Sequence, residues 1–428
     1  MPATRHPVGG MAGSGPVDVG TVRTLGSPEG RAILRSLPPY DEREVMRLGD
    51  RLRREGHPPD LVAALLTQQR LQARAVAKFG EFAAEMLFTP DGLEQASRLE
   101  VAATHAGRFY NASLATVHDL GCGIGADAVA MSALGVTVQG IDIDPVTAAI
   151  ADHNLRPWPD SRARLGLAEE FEAPRDPLRA RVGVWLDPAR RVPGHTGRHG
   201  RIKRVFRLDE IRPTWEFVLQ VATAVPATGA KLSPSMPQDA IPLGTEAQWT
   251  SFAGEVLECA VWWGPLAQRP GRSARILRAG RAPVEVDEAA AEPDPPTVES
   301  LASVGPWLYE PDRAVTQAGL LGALTAATLG SEVDRGLGYV VSEAQVEVDF
   351  ARRYAVLEAM PFTVKSLRAW LRERGVTGLT IKKRGIRLDD DELRRQLRIG
   401  RKAGDGAQAT VILTRVAGQP TVLVVDPT

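Results

Sequence analysis

Residues 117–135 read VHDLGCGIGADAVAMSALG: an apolar run ending at Asp119, a loop with glycine at 121, 123 and 125, then a helical stretch. Glycines at that spacing belong where the chain turns sharply and where backbone must approach a ligand without a Cβ in the way. A strand, a glycine loop and a helix in that order open a β-loop-α unit. The runs TVHDL, VTVQGID, VGVWLD, GAKLS and VLECAVWW then alternate with helical segments from Thr116 onward. That alternation predicts an α/β core built on a doubly wound parallel sheet.

The rest of the chain is arranged around this core. At 428 residues it exceeds one typical domain. Residues 1–30, rich in Gly, Pro, Ser and Thr, read as a mobile tail, and 31–112 as a helical domain with apolar residues at three- and four-residue spacing. The core is expected over 113–285, an acidic Pro-rich linker over 286–300, and a smaller α+β unit over 301–428 that ends in a hairpin turning at AGQP. The 52 Lys and Arg balance the 52 Asp and Glu, so attraction to a polyanion must come from a local surface. Two cysteines exclude a disulfide framework and fit a reducing compartment. With no secretory pattern at the N-terminus and no bilayer-length apolar run, the expectation is a cytoplasmic protein with no membrane partner.

The loop also limits the ligand. Its spacing is G-C-G-I-G, and a dinucleotide fingerprint would need glycine at Ala126. Asp119, just before the loop, favours a cationic group such as an amino group and would repel a pyrophosphate. Asp142 ends the second strand about twenty residues later, followed by Ile143, where a carboxylate accepts hydrogen bonds from a ribose diol. Asp119, Gly121, Cys122, Gly123, Gly125, Asp142 and Ile143 resemble the S-adenosylmethionine motifs of class I methyltransferases. The resemblance implies a Rossmann-like core with S-adenosylmethionine as cofactor, and places Ala168 and Glu169 beside the adenine.

Asp187 and Pro188 end the fourth strand. They resemble the Asp/Asn-Pro-Pro motif of nucleic-acid methyltransferases, with Ala189 and Arg190 replacing the Pro-aromatic pair. Asp187 is a candidate to orient or deprotonate an acceptor or to bind the cofactor amino group. Lys231 and Ser233 fall on the same sheet edge as further catalytic candidates. Arg190 and Arg191 begin a basic, Gly-rich stretch suited to phosphates. His195 and His199 stand four apart, but Gly194, Gly197 and Gly200 argue against a helix aligning them, so no metal is expected. Cys122, inside the loop, and Cys259, in an apolar strand, are poor nucleophiles.

Several further segments resemble one bacterial family, the class I methyltransferases with a C-terminal THUMP-like domain. These are Leu93-Glu94-Gln95-Ala96, Asp187-Pro188-Ala189-Arg190-Arg191, Lys231-Leu232-Ser233-Pro234, LYEPDRAVTQAGL (308–320) and IKKRGI (381–386). The resemblance implies RNA binding. Independently, residues 363–402 carry thirteen Lys and Arg against five acids, a net +8 in a neutral chain, with Lys382, Lys383 and Arg384 consecutive. The expectation is a methyltransferase acting on structured ribosomal or transfer RNA. The alternatives are a protein or small-molecule acceptor, or a non-catalytic RNA-binding protein with a retained cofactor fold.

Overall fold

The computed structural model describes residues 18–175, 181–190, 208–399 and 407–427. The chain forms two compact units, Met1–Lys231 with Trp263–Leu266, and Leu232–Trp262 with Ala267–Thr428.

The first unit begins with helices α1 (Val19–Gly26), α2 (Pro28–Ser36), α3 (Val45–Arg54), α4 (Pro59–Phe79), α5 (Pro90–Gln95) and α6 (Leu99–Asn111). The expected tail is therefore corrected over residues 18–30, the part of it that lies within the described residues. Asp18 caps α1 by accepting from the Thr21 N–H, Ser27 caps α2 by accepting from Gly30, and Val22 and Leu25 are buried. The Ser and Pro that made this stretch look loose are the cap and first-turn residues of α2. The helical segment is also not a body of its own. Leu25, Leu65, Leu71, Phe79 and Phe88 share one apolar cluster with Ile124 of the glycine loop and Ile150.

The sheet of this unit is parallel. It is built from β1 (Thr116–Leu120), β2 (Thr137–Asp142), β3 (Arg162–Leu165), β4 (Val182–Leu186) and β7 (Thr228–Leu232), with order β3-β2-β1-β4-β7. Helices α7 (Ala126–Ala133), α8 (Pro145–Asn154) and α9 (Trp215–Ala224) are the crossovers, and a two-residue ladder joins β5 (Ala189–Arg190) to β6 (Ile211–Arg212). Strand β4 is buried throughout, as a parallel strand covered on both faces must be. The chain runs outward one way from β1 to β3 and the other way from β4 to β7. The crevice at that switch, outside the carboxyl ends of β1 and β4, is where an open α/β sheet binds its ligand.

The second unit contains two sheets. One has the order β9-β8-β10-β11, from β8 (Glu246–Phe252), β9 (Glu255–Trp262), β10 (Gly271–Leu277) and β11 (Val284–Asp287). The other is seven-stranded, β13-β14-β12-β15-β18-β17-β16. Its strands are β12 (Trp307–Pro311), β13 (Ser331–Glu332), β14 (Val340–Ser342), β15 (Ala351–Pro361), β16 (Val376–Lys383), β17 (Ala407–Val416) and β18 (Gln419–Pro427). The helix expected over 312–329 is two, α10 (Arg313–Gln317) and α11 (Leu321–Thr328), with Gly319 between them. Helices α12 (Val364–Glu373) and α13 (Asp390–Leu397) lay Leu367, Trp370, Leu371, Leu393 and Leu397 against Val411, Leu413 and Val422 of the sheet.

Candidate active site

The glycine loop is pinned from both sides. The N–H groups of Gly121 and Cys122 both donate to the Ile141 carbonyl at the end of β2, at 2.8 and 3.0 Å. Gly121 adopts φ +92°, and a Cβ there would sit 3.2 Å from the Asp187 carbonyl oxygen, so only glycine lets the loop pass the end of β4. Gly125, at φ +83°, is the left-handed residue from which α7 starts. Asn154 of α8 holds the far side, donating to the carbonyls of Ile124 (2.9 Å) and Leu87 (3.1 Å).

Asp119 is 1% exposed, and neither carboxylate oxygen has a hydrogen-bond partner among the described residues. Burial pushes its pKa well above the usual carboxylate range, with the nearby charges of Asp127, Asp187 and Asp142 adding to the effect and Lys231 opposing it. A buried, unpartnered acid beside a glycine loop costs stability on its own and is relieved by a cationic hydrogen-bond donor.

Asp142 already has work in the free chain. Its Oδ2 accepts from the Gly123 N–H at 3.0 Å and its Oδ1 from the Asp144 N–H at 2.9 Å, which ties the loop to the start of α8. Ile143, next in sequence, is 62% exposed, and Leu165 and Leu167 at the end of β3 are exposed as well. Leu165 pairs directly with Asp142 across the two strands. Three apolar side chains thus face outward at the carboxyl ends of neighbouring strands. Ala168 and Glu169 form a short 3-10 turn just beyond them, Ala168 half-buried and Glu169 exposed.

On the other side of the loop, side chains form one unbroken chain of polar contacts. Lys231 Nζ donates to Asp187 Oδ2 at 2.6 Å and to Ser97 Oγ at 3.2 Å. Ser97 Oγ donates to Asp127 Oδ2 at 3.0 Å, and Asp127 Oδ1 lies 2.7 Å from His105 Nδ1. Burial works against a charge on Asp127, but His105, Lys231 and Ser97 hold its pKa below the ordinary value. The His105 ring packs on Trp185 of β4, with centroids 4.6 Å apart. Lys78 of α4 donates to the carbonyls of Leu93, Glu94 and Ala96 at 2.7–2.9 Å, fixing the segment that delivers Ser97. The side chains of Glu94 and Gln95 are exposed. Ser97, His105, Asp127 and Lys78 were not among the residues expected from the sequence. Only Asp127, an acid in an apolar helix two residues past the last glycine of the loop, leaves a trace there.

Over 383 residues the chain is 30% identical to an uncharacterized S-adenosylmethionine-dependent methyltransferase of Mycobacterium tuberculosis, in strains CDC 1551 and H37Rv. The match covers 86% of this chain and 94% of the relative. This chain belongs to the S-adenosylmethionine-dependent methyltransferases. Residues 351–427 match the THUMP domain-like family, and 18–75 match a domain of unknown function (DUF8688). A methyltransferase candidate from Porphyromonas gingivalis W83 shares the fold, with a TM-score of 0.68, 20% identity, and 91% of this chain and all of that one covered.

S-adenosylmethionine is the cofactor of this methyltransferase, and the residues at the switch point fit it. The orphaned Asp119 carboxylate suits the amino group, and Gly123 leaves open space beside the loop, with no atom within 4 Å of where a Cβ would stand. Cys122 lies inside the loop and Cys259 inside β9, and burial pushes both thiols up, away from nucleophilic thiolate.

The other expected residues are placed as follows. Pro188 follows Asp187 and is buried. Ser233, the residue after β7, lies in the second unit, where its Oγ accepts from the Ser235 N–H at 3.3 Å. The backbone of Arg190 belongs to β5, whereas Arg191, His195 and His199 lie outside the described residues. In the second unit, Lys382 and Arg384 both pair with the half-buried Glu310, while Lys383 pairs with Asp390 at 2.6 Å. Two of the three consecutive cations are therefore tied into a half-buried network with Glu310 and Tyr354.

Proposed function

We propose that this methyltransferase modifies structured RNA, ribosomal or transfer, with the first unit doing the chemistry and the THUMP-like region contributing RNA affinity. The observation that carries this reading is the THUMP domain-like match over 351–427, which falls on the most basic part of a neutral chain. A locally basic face supplies sequence-independent attraction to phosphates.

In this reading Asp119 receives the cofactor's amino group and Asp142 the ribose hydroxyls. Ile143, Leu165 and Leu167 form an apolar ledge for the adenine, with Ala168 and Glu169 at its edge. When bound, the cofactor supplies a methyl group already activated on a sulfonium. Catalysis then rests on aligning the acceptor with it, which the rigid loop and strand ends provide. Asp187 orients the acceptor and takes its proton, and Lys231 fixes the rotamer of Asp187. Pro188 stiffens the turn beyond it.

Asp142→Ala is expected to weaken S-adenosylmethionine binding by roughly 1–3 kcal/mol, the scale of hydrogen bonds to a charged group. The loss has two sources, the ribose contacts and the Gly123 N–H that now lacks its acceptor. Calorimetry at fixed pH measures it, and unchanged affinity removes Asp142 from the site. The acceptor class is tested by mass spectrometry of nucleosides in RNA from a strain lacking the gene. A methylated nucleoside missing from that strain, and restored by the purified enzyme with S-adenosylmethionine, supports RNA. An unchanged nucleoside profile, with methyl transfer to protein or to a small molecule, overturns it.

A further inference from the structure

The second unit contains an open cleft of about 550 Å³, within the range of ligand pockets generally. Its walls come from the β8–β9 turn, the end of β10, the β12–α10 junction, the start of β15 and the end of β16. Nine of its thirteen lining residues precede the 351–427 match, so the cleft is not a property of the THUMP-like region alone.

Five cations line it: Arg278, Arg313, Arg352, Lys382 and Arg384. Three carboxylates oppose them, Glu255, Glu310 and Asp312, and the last two are already engaged. Glu310 binds Lys382, Arg384 and Tyr354, and Asp312 caps α10 by accepting from the Ala314 N–H at 2.9 Å. Burial alone would raise the Glu310 pKa, but Lys382, Tyr354 and Arg384 hold it below its ordinary value, so the network stays charged. The floor is therefore rigid and ionically satisfied.

The rim differs. Arg313 and Arg352 are exposed, and among the described residues neither has a carboxylate partner. Arg352 instead stands over the Tyr354 ring, 5.3 Å from its centroid. Phe350, half-buried, lines the same cleft and packs on the cluster of Tyr309, Leu324 and Val340. Its segment is anchored at both ends, because Arg278 donates to the Asp349 carbonyl at 2.7 Å and the Asp312 N–H donates to the Phe350 carbonyl at 2.8 Å.

An anchored aromatic ring sharing a cleft with rim guanidinium groups that have no carboxylate partner among the described residues suits an unpaired nucleotide: ring on base, cations on the flanking phosphates. We propose that this cleft binds a single-stranded segment of the RNA, with Arg313 and Arg352 on phosphates and Phe350 stacked on a base. The proposal rests on the RNA reading above and names where an unpaired stretch of that RNA is held. Arg313 and Arg352 serve as the test in place of Lys382 and Arg384, whose reversal would break the Glu310 network.

The experiment measures fluorescence anisotropy of a labelled single-stranded octauridylate, and of total transfer RNA, with the full chain at several salt concentrations. Wild type is expected to bind both, with octauridylate affinity falling as salt rises. R313A/R352A is expected to weaken octauridylate binding at least tenfold and to flatten the log–log salt slope by about 1.4, at about 0.7 per cation lost. Phe350→Ala is expected to weaken binding about tenfold with the slope unchanged, since stacking releases no counterions. S-adenosylmethionine affinity and circular dichroism, expected unchanged in both variants, report that the fold is intact. If R313A/R352A binds as wild type does, the cleft is overturned and the RNA reading stands. Transfer RNA binding by wild type without octauridylate binding also overturns only the cleft. Failure of wild type to bind either probe overturns both.

Discussion

Replacing Asp119 by asparagine is expected to make the protein more heat-stable near neutral pH and a poorer binder of S-adenosylmethionine. The carboxyl is 1% exposed with both oxygens unpartnered among the described residues, and burial pushes its pKa well above that of an ordinary carboxylate. In the unfolded chain it titrates near 4. Below that pH both states hold the proton and ionisation costs the fold nothing. As pH rises from the unfolded value through the raised folded value, the unfolded state gives up its proton first, and stability is lost across that window. Asparagine has no proton to lose, so the wild-type melting temperature should fall with rising pH relative to that of the variant.

A bound amino group reverses the preference, because it favours the ionised carboxylate. Wild-type binding should therefore release a proton and tighten as pH rises through the raised Asp119 value. Asparagine should lose this dependence together with about ten- to a hundredfold in affinity, the scale of a hydrogen bond to a charged group. A position that destabilises the free protein and strengthens ligand binding is the usual trade-off at a site. Thermal melts and calorimetry from pH 5 to 8 measure both arms. Wild-type affinity in the variant would remove Asp119 from the cofactor site.

Much of this was legible in the chain because it is local. The order strand, glycine loop, helix specifies Gly121 and Gly125 by backbone geometry, and Asp119 and Asp142 by their place at strand ends. The α12, α13 and terminal hairpin pattern is likewise a matter of periodicity over short windows. What could not be read is what joins distant segments. Ser97 and His105 meet Asp127 from before the core begins, and Lys231 reaches them from 134 residues beyond Ser97. Nothing in the spacing of a serine and a histidine on helical stretches announces that contact. The same holds for Lys382 and Arg384. Three consecutive cations read as a phosphate surface, yet the partner that claims two of them, Glu310, is 72 residues from Lys382. The N-terminal tail was misread for the opposite reason. Composition was weighed over thirty residues, whereas the caps at Asp18 and Ser27 act over three.

The largest loss of turnover is expected at Asp187, with cofactor affinity nearly intact. Asp187 stands at the strand end, about one-third exposed, and accepts from Lys231 at 2.6 Å. Removing it as Asp187→Ala takes away the proposed proton acceptor and leaves the glycine loop and Asp142 in place. General-base contributions run from about 10² to 10⁴ in rate, and a loss of at least 10²-fold in kcat is expected. Lys231→Met is a different experiment. It removes the Lys231 cation from Asp187 and its hydrogen bond from Ser97, so kcat should fall less while its dependence on pH shifts upward. The double variant should be no worse than Asp187→Ala alone, because Lys231 acts through Asp187. Single-turnover rates on the methyl acceptor, measured beside S-adenosylmethionine binding, separate the two effects. Equal losses of affinity and rate in Asp187→Ala would make Asp187 a cofactor contact. Additive losses in the double variant would show that Lys231 has a separate role, such as contacting the acceptor directly.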